Sequence, residues 1–437
     1  MKQKSDLTLF FMRIKEKKHF DIFFYFLLLI VCTIPFPNAV NNILVGSFVL
    51  YILLQIQKRS FVLKKELTLL VVFFLWMSIS CFWSIDVMNS VYALPKESSL
   101  LLIPFCFAFM IFENKKTIIK YYSISILCCV VFFLLRAIYL YFVEKNPHVF
   151  LDNQLVTKEL NAVHFSVFVS LALFYFIITS CKTKFDYFQT LLLSGFLILL
   201  GSKIIILTDI ILLFIYYFFY SKSANKMRLR NIVMLGIVFF SFLFFNRIKE
   251  KIEFEFQLNK DNNIGHTVIP KHIVGENIIS MKEAWEKKKF EQTDFFSGAS
   301  FRVYQFRMFL EIMKDEGVFF QGLGLNASYK KIEEKGIKYN VFQGNNTTEG
   351  YQKKNFHNQY VQVFAELGCI GFLLLVLILF VNLKNAFKNK DFLHITFAIL
   401  MISLFLTESF LWRQRGVVFF TVFYCLFNTT IYIDNKK

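Results

Sequence analysis

Long apolar runs alternate with short basic clusters along most of this chain. A helix crossing a bilayer needs roughly 20 mostly apolar residues. Such runs begin near Phe20, Val40, Leu67, Ser98, Ile118, Asn161, Phe188, Asn231, Ala365, Leu393 and Val417. The run from Phe188 to Tyr220 is too long for one span and carries Gly201-Ser202-Lys203 near its middle. Divided at Ser202, it puts the basic clusters on one side: the N-terminal tail, Lys58-Arg59 with Lys64-Lys65, Lys115-Lys116, Lys182 with Lys184, Lys222 to Arg230, Lys384 to Lys390, and Lys436-Lys437. That is the positive-inside distribution. Read as one span, it inverts the later connectors and the asymmetry collapses. The pattern therefore predicts twelve spans with both termini cytoplasmic.

The same topology places Arg247 to Asn355 on the outer side. At about 110 residues this segment far exceeds an ordinary connector and is expected to fold as a small domain. Within it, Ile278 to Phe290 reads as a charged surface helix. Ser300 to Glu316 reads as an amphipathic helix stopped by Gly317. Gly322-Leu323-Gly324 is a turn, Ala327 to Lys335 a short helix ending at Gly336, and Gly344-Asn345-Asn346 a loop. The fold class is thus an all-α integral membrane protein with one large, mainly helical outer domain between spans nine and ten. Three parts follow: residues 1–246 with nine spans, 247–356 outside, and 357–437 with three spans.

Composition supports this picture. The chain is 56% hydrophobic with 59 Phe, too apolar for a soluble protein of its size. A formal net charge of +18 would suit a nucleic-acid binder, but the charge sits between apolar runs and the outer segment is nearly balanced, so no nucleic-acid partner is expected. The polar, basic stretch from Met1 to Asp21 has no small-residue cleavage motif and reads as an uncleaved cytoplasmic tail. All eight cysteines lie in or beside apolar runs, which argues against a disulfide framework or a Cys-ligated metal outside.

Chemistry gathers where the outer segment turns into a membrane helix. Asn355 to Gly371 reads Asn-Phe-His-Asn-Gln-Tyr-Val-Gln-Val-Phe-Ala-Glu-Leu-Gly-Cys-Ile-Gly. Asn355 is a plausible N-cap, which places His357 in the first helical turn. The positive end of the helix dipole favours a neutral imidazole there, able to accept a proton. His357, Tyr360, Val361 and Phe364 then share one face. The plain alternative is an interfacial His and Tyr that anchor the helix, as aromatic belts do.

His357-Asn358-x-Tyr360, followed by Glu366-Leu367-Gly368-x-x-Gly371 and an apolar helix, resembles the signature of the O-antigen ligase and polymerase family. These are bacterial membrane glycosyltransferases acting outside the inner membrane. The resemblance covers the C-terminal half with some specificity and the N-terminal half only as a pattern of spans. It implies a periplasmic outer domain, an inner-membrane location, and a histidine serving the acceptor hydroxyl. Asn358 and Tyr360 would support His357. Ser300-Phe301-Arg302, with Tyr304 and the downstream Gly322-x-Gly324, resembles the family's second arginine motif. Guanidinium grips phosphate oxygens bidentately; a solvated helix face is the plainer reading of Arg302, and Arg307 is a weaker candidate of the same kind. At the outer turn the family usually carries Ser-Arg, whereas this chain has Ser202-Lys203. Lysine keeps the charge and loses the fork, and a snorkelling interfacial lysine is the alternative.

Two further charges fall at membrane depth, Arg136 in span five and Asp209 in span eight. A buried charge there costs roughly 2.5–3.5 kcal/mol and calls for a partner or a polar cavity. Either the two pair with one another, or Arg136 faces a lipid diphosphate. Glu408 ends span eleven close to Arg413 and Arg415; it would orient an arginine or His357, or form an ordinary interfacial ion pair. His164, His266 and His272 read as incidental. With no His-Glu-x-x-His motif and no paired Asp-x-Asp outside, neither a metal nor a cofactor is expected.

The resemblance implies a donor glycan on a polyprenyl diphosphate, bound by Arg302, Lys203 and Arg136, with His357 as general base and a single inverting displacement. The acceptor is a lipid A core for a ligase or another lipid-linked glycan for a polymerase, and a single large outer domain just before the His motif favours ligase. A protein-glycan transferase is a third member type. The rival from another class is a polysaccharide flippase. It would show two similar halves and paired broken helices, which the sequence lacks.

Overall fold

The computed structural model describes residues 22–58, 61–109, 115–157, 159–179, 184–221, 277–345 and 348–429. The N-terminal tail, the predicted span near Asn231, the cluster from Lys222 to Arg230, and His266 and His272 lie outside the described residues.

A helix stands at every other predicted start. In chain order these are α1 (Ile22–Cys32), α2 (Asn38–Gln55), α3 (Lys65–Ser80), α4 (Val87–Glu97), α5 (Ser99–Ala108), α6 (Lys115–Glu144), the single turn α7 (Asp152–Leu155), α8 (Ala162–Ile178), α9 (Lys184–Leu200) and α10 (Lys203–Ile215). Then come α11 (Met281–Glu286), α12 (Gly298–Glu316), α13 (Ser328–Lys338), α14 (Gln359–Lys388), α15 (Phe392–Phe405) and α16 (Gln414–Thr429). Among the described residues, five helices or helix pairs are long and apolar enough to cross a membrane: Asn38–Gln55, Val87–Ala108, Lys115–Glu144, Lys203–Tyr220 and Gln359–Lys388. The break between α9 and α10 falls at Gly201, whose φ of +67° is the left-handed conformation that glycine adopts without a Cβ penalty.

The chain forms two compact units that interleave in sequence. One takes its described residues from Met1–Lys64, Leu102–Gly201 and Thr421–Lys437; the other is Lys65–Leu101 with Ser202–Phe420. In the first, α8 is apolar all round and nearly every residue is buried, as expected for a helix enclosed by others. It packs against α6 and α9, and the Tyr122 hydroxyl on α6 donates to the Phe168 carbonyl at 2.9 Å.

The second unit contains the polar segment, and here two sequence expectations are corrected. Ile278 does not begin a helix. Asn277–Ile279 is a strand, β1, pairing in parallel with β2 (Asp294–Phe296), so the segment is not purely α. Ser280 caps α11 in a reciprocal box with Glu283, which is why the helix begins only there. Nor does Gly336 end a helix: α13 runs through it to Lys338. A Cβ at Gly336 would stand 2.4 Å from the Gln352 Cβ, so this glycine permits close packing and gives no stop signal. The expected stop at Gly317 is present, with φ of +66° and its N–H donated to the Met313 carbonyl. Phe290, Phe296, Tyr304, Met308, Leu323 and Val341 lie at the centre of a continuous apolar core, each large side chain contributing about 1.5–3 kcal/mol.

This core is joined to α14 through a break in that helix. Gly368 has φ of +68° and ψ of −169°, and three successive carbonyls just before it accept donors from outside the helix. Ala365 accepts from the Leu323 N–H at 2.9 Å, Glu366 from the Gly324 N–H at 2.8 Å, and Leu367 from the Trp76 indole at 3.0 Å. The Cys369 N–H donates to the Phe319 carbonyl at 2.9 Å. A Cβ at Gly368 would lie 2.2 Å from the Phe320 oxygen, and one at Gly322 2.4 Å from the Glu366 backbone. The Gly322-x-Gly324 and Glu366-Leu367-Gly368 stretches are therefore two halves of one backbone joint.

Candidate active site

His357 sits two residues before α14 and outside its first turn. The cap is Asn358, whose Oδ1 accepts from the Tyr360 and Val361 N–H groups at 3.0 and 3.1 Å. Asn355, expected as the cap, instead accepts the His357 N–H at 2.9 Å. His357 itself is left-handed, with φ of +47°, a conformation uncommon for a side chain of this size. It therefore does not share the helical face of Tyr360, Val361 and Phe364. The turn aims the ring at the Phe301 ring, edge to face at 5.6 Å, and at the carboxylate of Glu408.

Glu408 lies in the short loop between α15 and α16. Three residues of the joint between the polar segment and α14 hold this loop by its backbone. Asn358 Nδ2 donates to the Leu406 carbonyl at 3.0 Å, Arg302 Nη2 to the Thr407 carbonyl at 3.2 Å, and Gln359 Oε1 accepts the Leu411 N–H at 2.8 Å. The Tyr360 hydroxyl donates to the Ile402 carbonyl on α15 at 3.1 Å. So fixed, Glu408 Oε2 stands 3.5 Å from His357 Nδ1 and Oε1 stands 3.9 Å from Arg302 Nη2. Both separations suit ion pairing and are long for hydrogen bonds. The Glu408 side chain is 12% exposed, against 32% for His357 and 39% for Arg302. The carboxylate is the enclosed hub, and the imidazole and the guanidinium on either side of it reach solvent.

Arg302 is one turn into α12. Its Nη1 donates to the Gly298 carbonyl at 3.0 Å, while its Nε is buried without a hydrogen-bond partner. Arg307, one and a half turns further on, is committed elsewhere. It pairs with Glu311 at 2.8 Å, donates to the Lys287 carbonyl at 2.7 Å and stacks on Tyr339 at 4.9 Å. Arg413 is exposed and forms no ion pair among the described residues.

Lys203 opens α10 and is exposed. Helix α10 packs on α15, and the rings of Tyr216 and Tyr220 beyond its C-terminus both meet Phe392 at the start of α15, at 5.0 Å. The two helices are therefore antiparallel. At about 1.5 Å per residue, Lys203 reaches the same end of the pair as Leu406, next to the Glu408 loop. Arg136 is in the other compact unit, where its Nη1 donates to the Gln154 and Val156 carbonyls at 3.2 and 3.4 Å. Those carbonyls, at the turn after α6, give the charge a backbone partner. Asp209 is buried on α10.

The structure thus brings together His357, Asn358, Tyr360, Arg302 and Glu408. With Nδ1 turned to a carboxylate, the His357 tautomer that leaves Nε2 free as a proton acceptor is favoured. Neither Thr407 as an Arg302 partner nor Phe301 as the wall behind His357 is visible in the sequence. Both follow from contacts across residues far apart in the chain.

Residues 188–376 match the family model described as O-Antigen ligase. The matched residues include Lys203, Arg302 and His357 and stop short of Glu408. No curated protein matches the chain.

Proposed function

From the match of residues 188–376 to the O-Antigen ligase family model we propose that the chain transfers a glycan from a polyprenyl diphosphate to a lipid A-core acceptor at the outer face of the inner membrane. The observation that carries this reading is the position of Glu408 between His357 and Arg302. One carboxylate orients both the group that handles the acceptor proton and the group that faces the leaving diphosphate.

In the proposed reaction the acceptor hydroxyl oxygen attacks the anomeric carbon while His357 Nε2 takes its proton. The bond from that carbon to the diphosphate oxygen breaks, and its electron pair leaves with the diphosphate. One displacement inverts the anomeric centre. Arg302 offers donors where negative charge grows, and Lys203, at the same end of the α10–α15 pair, adds a point charge. Glu408 is a positioning residue: it holds the imidazole and keeps the guanidinium near. Asn358, Tyr360 and Gln359 hold the loop that carries it. The reading needs nothing from Arg136, whose carbonyl contacts give it a structural role, or from Arg413.

Ligase and polymerase share this chemistry and differ in acceptor. Deleting the gene and resolving lipopolysaccharide by gel separates them. Loss of all capped core is the expected result; core bearing a single repeat would assign polymerase instead. An unchanged lipopolysaccharide profile would contradict both.

A further inference from the structure

Among the described residues of the polar segment, the partly or fully buried cations follow one pattern, with one exception. Lys287, Arg307, Lys331 and Lys335, all partly or fully buried, each have a carboxylate oxygen within 2.9 Å. Arg302 has Glu408. Lys354 is half-buried too, yet no carboxylate pairs with it. Its Nζ instead lies over two ring faces, Tyr351 at 5.0 Å and Phe301 at 5.7 Å. Its backbone is fixed by the N–H to the Tyr351 carbonyl at 3.2 Å and by Gln305 Nε2 on its own carbonyl at 3.4 Å. Phe301 is also the ring that His357 meets at 5.6 Å. One aromatic side chain therefore carries the proposed base and this ammonium together, one helical position before Arg302.

A partly desolvated ammonium on aromatic faces keeps some of its stabilisation through the ring quadrupoles. It still lacks the counter-charge that its neighbours have. Burial pushes the Lys354 ammonium below its usual range, with the more distant Glu349 opposing, and an arriving oxyanion would reverse that.

We propose that Lys354 binds an oxyanion of the substrate beside His357. This rests on the glycosyl-transfer reading and deepens it. The oxyanion has two possible sources with the same chemistry: the carrier diphosphate, common to every donor, or a carboxylate or phosphate borne by the glycan or the acceptor.

The test uses purified full-length protein in nanodiscs, with Lys354→Met and Lys354→Arg. Methionine keeps an unbranched stem on the rings and removes the charge; arginine restores it. The probes are inorganic pyrophosphate, a sugar-free short-chain polyprenyl diphosphate, and matched donors with neutral and acidic glycans. One charge-assisted hydrogen bond is worth about tenfold or more in affinity. A loss of that size for both diphosphate probes in Lys354→Met, recovered in Lys354→Arg, supports the proposal and assigns the carrier. Unchanged diphosphate binding with a KM rise confined to acidic glycans supports it and assigns the glycan or acceptor. A Lys354→Met protein with wild-type melting, diphosphate affinity and KM for every donor overturns it, as does a loss that Lys354→Arg shares in full. If the wild type binds pyrophosphate in a Lys354-dependent way but transfers no glycan, the transfer reading fails and the oxyanion site stands.

Discussion

The start of α14 is joined to the rest of its unit at two places only eleven residues apart, and they are built from opposite materials. At Gly368 the joint is backbone on backbone. Carbonyls freed by the helix break accept N–H groups from Leu323 and Gly324, the Trp76 indole closes a third, and glycines stand where a Cβ would collide. At His357 the joint is side chain on side chain, with ion-pair distances of 3.5 and 3.9 Å, partial exposure and a left-handed residue. The first is tight and fully satisfied. The second is loose, charged and strained. A motif that runs continuously from Asn355 to Gly371 thus holds two functions: Gly368 and its partners fix where the helix stands, and His357 and its partners use that position.

The largest effect is expected at Gly368. Gly368→Ala would put a Cβ 2.2 Å from the Phe320 oxygen at a φ of +68°, where non-glycine residues already cost about 1–3 kcal/mol. We expect loss of accumulation in the membrane, read by immunoblot of membrane fractions. Normal accumulation with normal melting would mean that the break is not structural. A smaller effect of a different kind is expected at the second joint. Glu408→Gln keeps the shape and removes the charge between His357 and Arg302. It should accumulate and melt like the wild type while turnover falls about 10- to 100-fold, the usual scale for a group that orients another. An equal fall in melting temperature would make Glu408 a structural ion pair.

How much of this was legible in the sequence differs between the joints for a physical reason. The apolar-to-polar boundary marks where α14 begins, so His357 stands out as a polar ring at that boundary, and Arg302 stands out through the stretch that resembles the family's second arginine motif. The cap does not. Asn355 and Asn358 are the same residue type, and the choice between them is settled by the contact of Asn358 Nδ2 with the Leu406 carbonyl, 48 residues away. Gly336 looked like a stop because local propensity carries no information about Gln352 packing on it. Ile278 looked helical because a three-residue strand has no period of its own, and its partner lies beyond an intervening helix. Lys354 is one lysine among many until its neighbours' carboxylates are seen.

The smallest expected effect lies away from both joints, in the polar segment. Burial pushes the Asp294 carboxyl up, but hydrogen bonds from Lys287, the Glu291 N–H and Asn277 outweigh it and hold the group below its usual range. In Glu311 burial is likewise outweighed, by the Tyr339 hydroxyl and Arg307. A carboxyl depressed in the folded state stabilises the fold above its unfolded value and loses that contribution as pH falls through the folded one. The contribution of these two carboxyls to the stability of the segment should be flat near neutrality and decline below about pH 4, as followed by thermal melting of the full chain across pH. Asp294→Asn should be less stable near neutrality and show a shallower decline. An unchanged acid limb in that variant would remove Asp294 from the account.

A single reconstitution decides whether the His357 joint performs the transfer. Wild type and His357→Ala are placed in lipid with a polyprenyl-diphosphate glycan and an acceptor, and donor binding and product formation are measured on the same samples. The account predicts unchanged donor affinity and a turnover loss of about 10²- to 10⁴-fold, not rescued by His357→Gln, since an amide takes up no proton. Turnover within a few-fold of wild type in folded His357→Ala would contradict it.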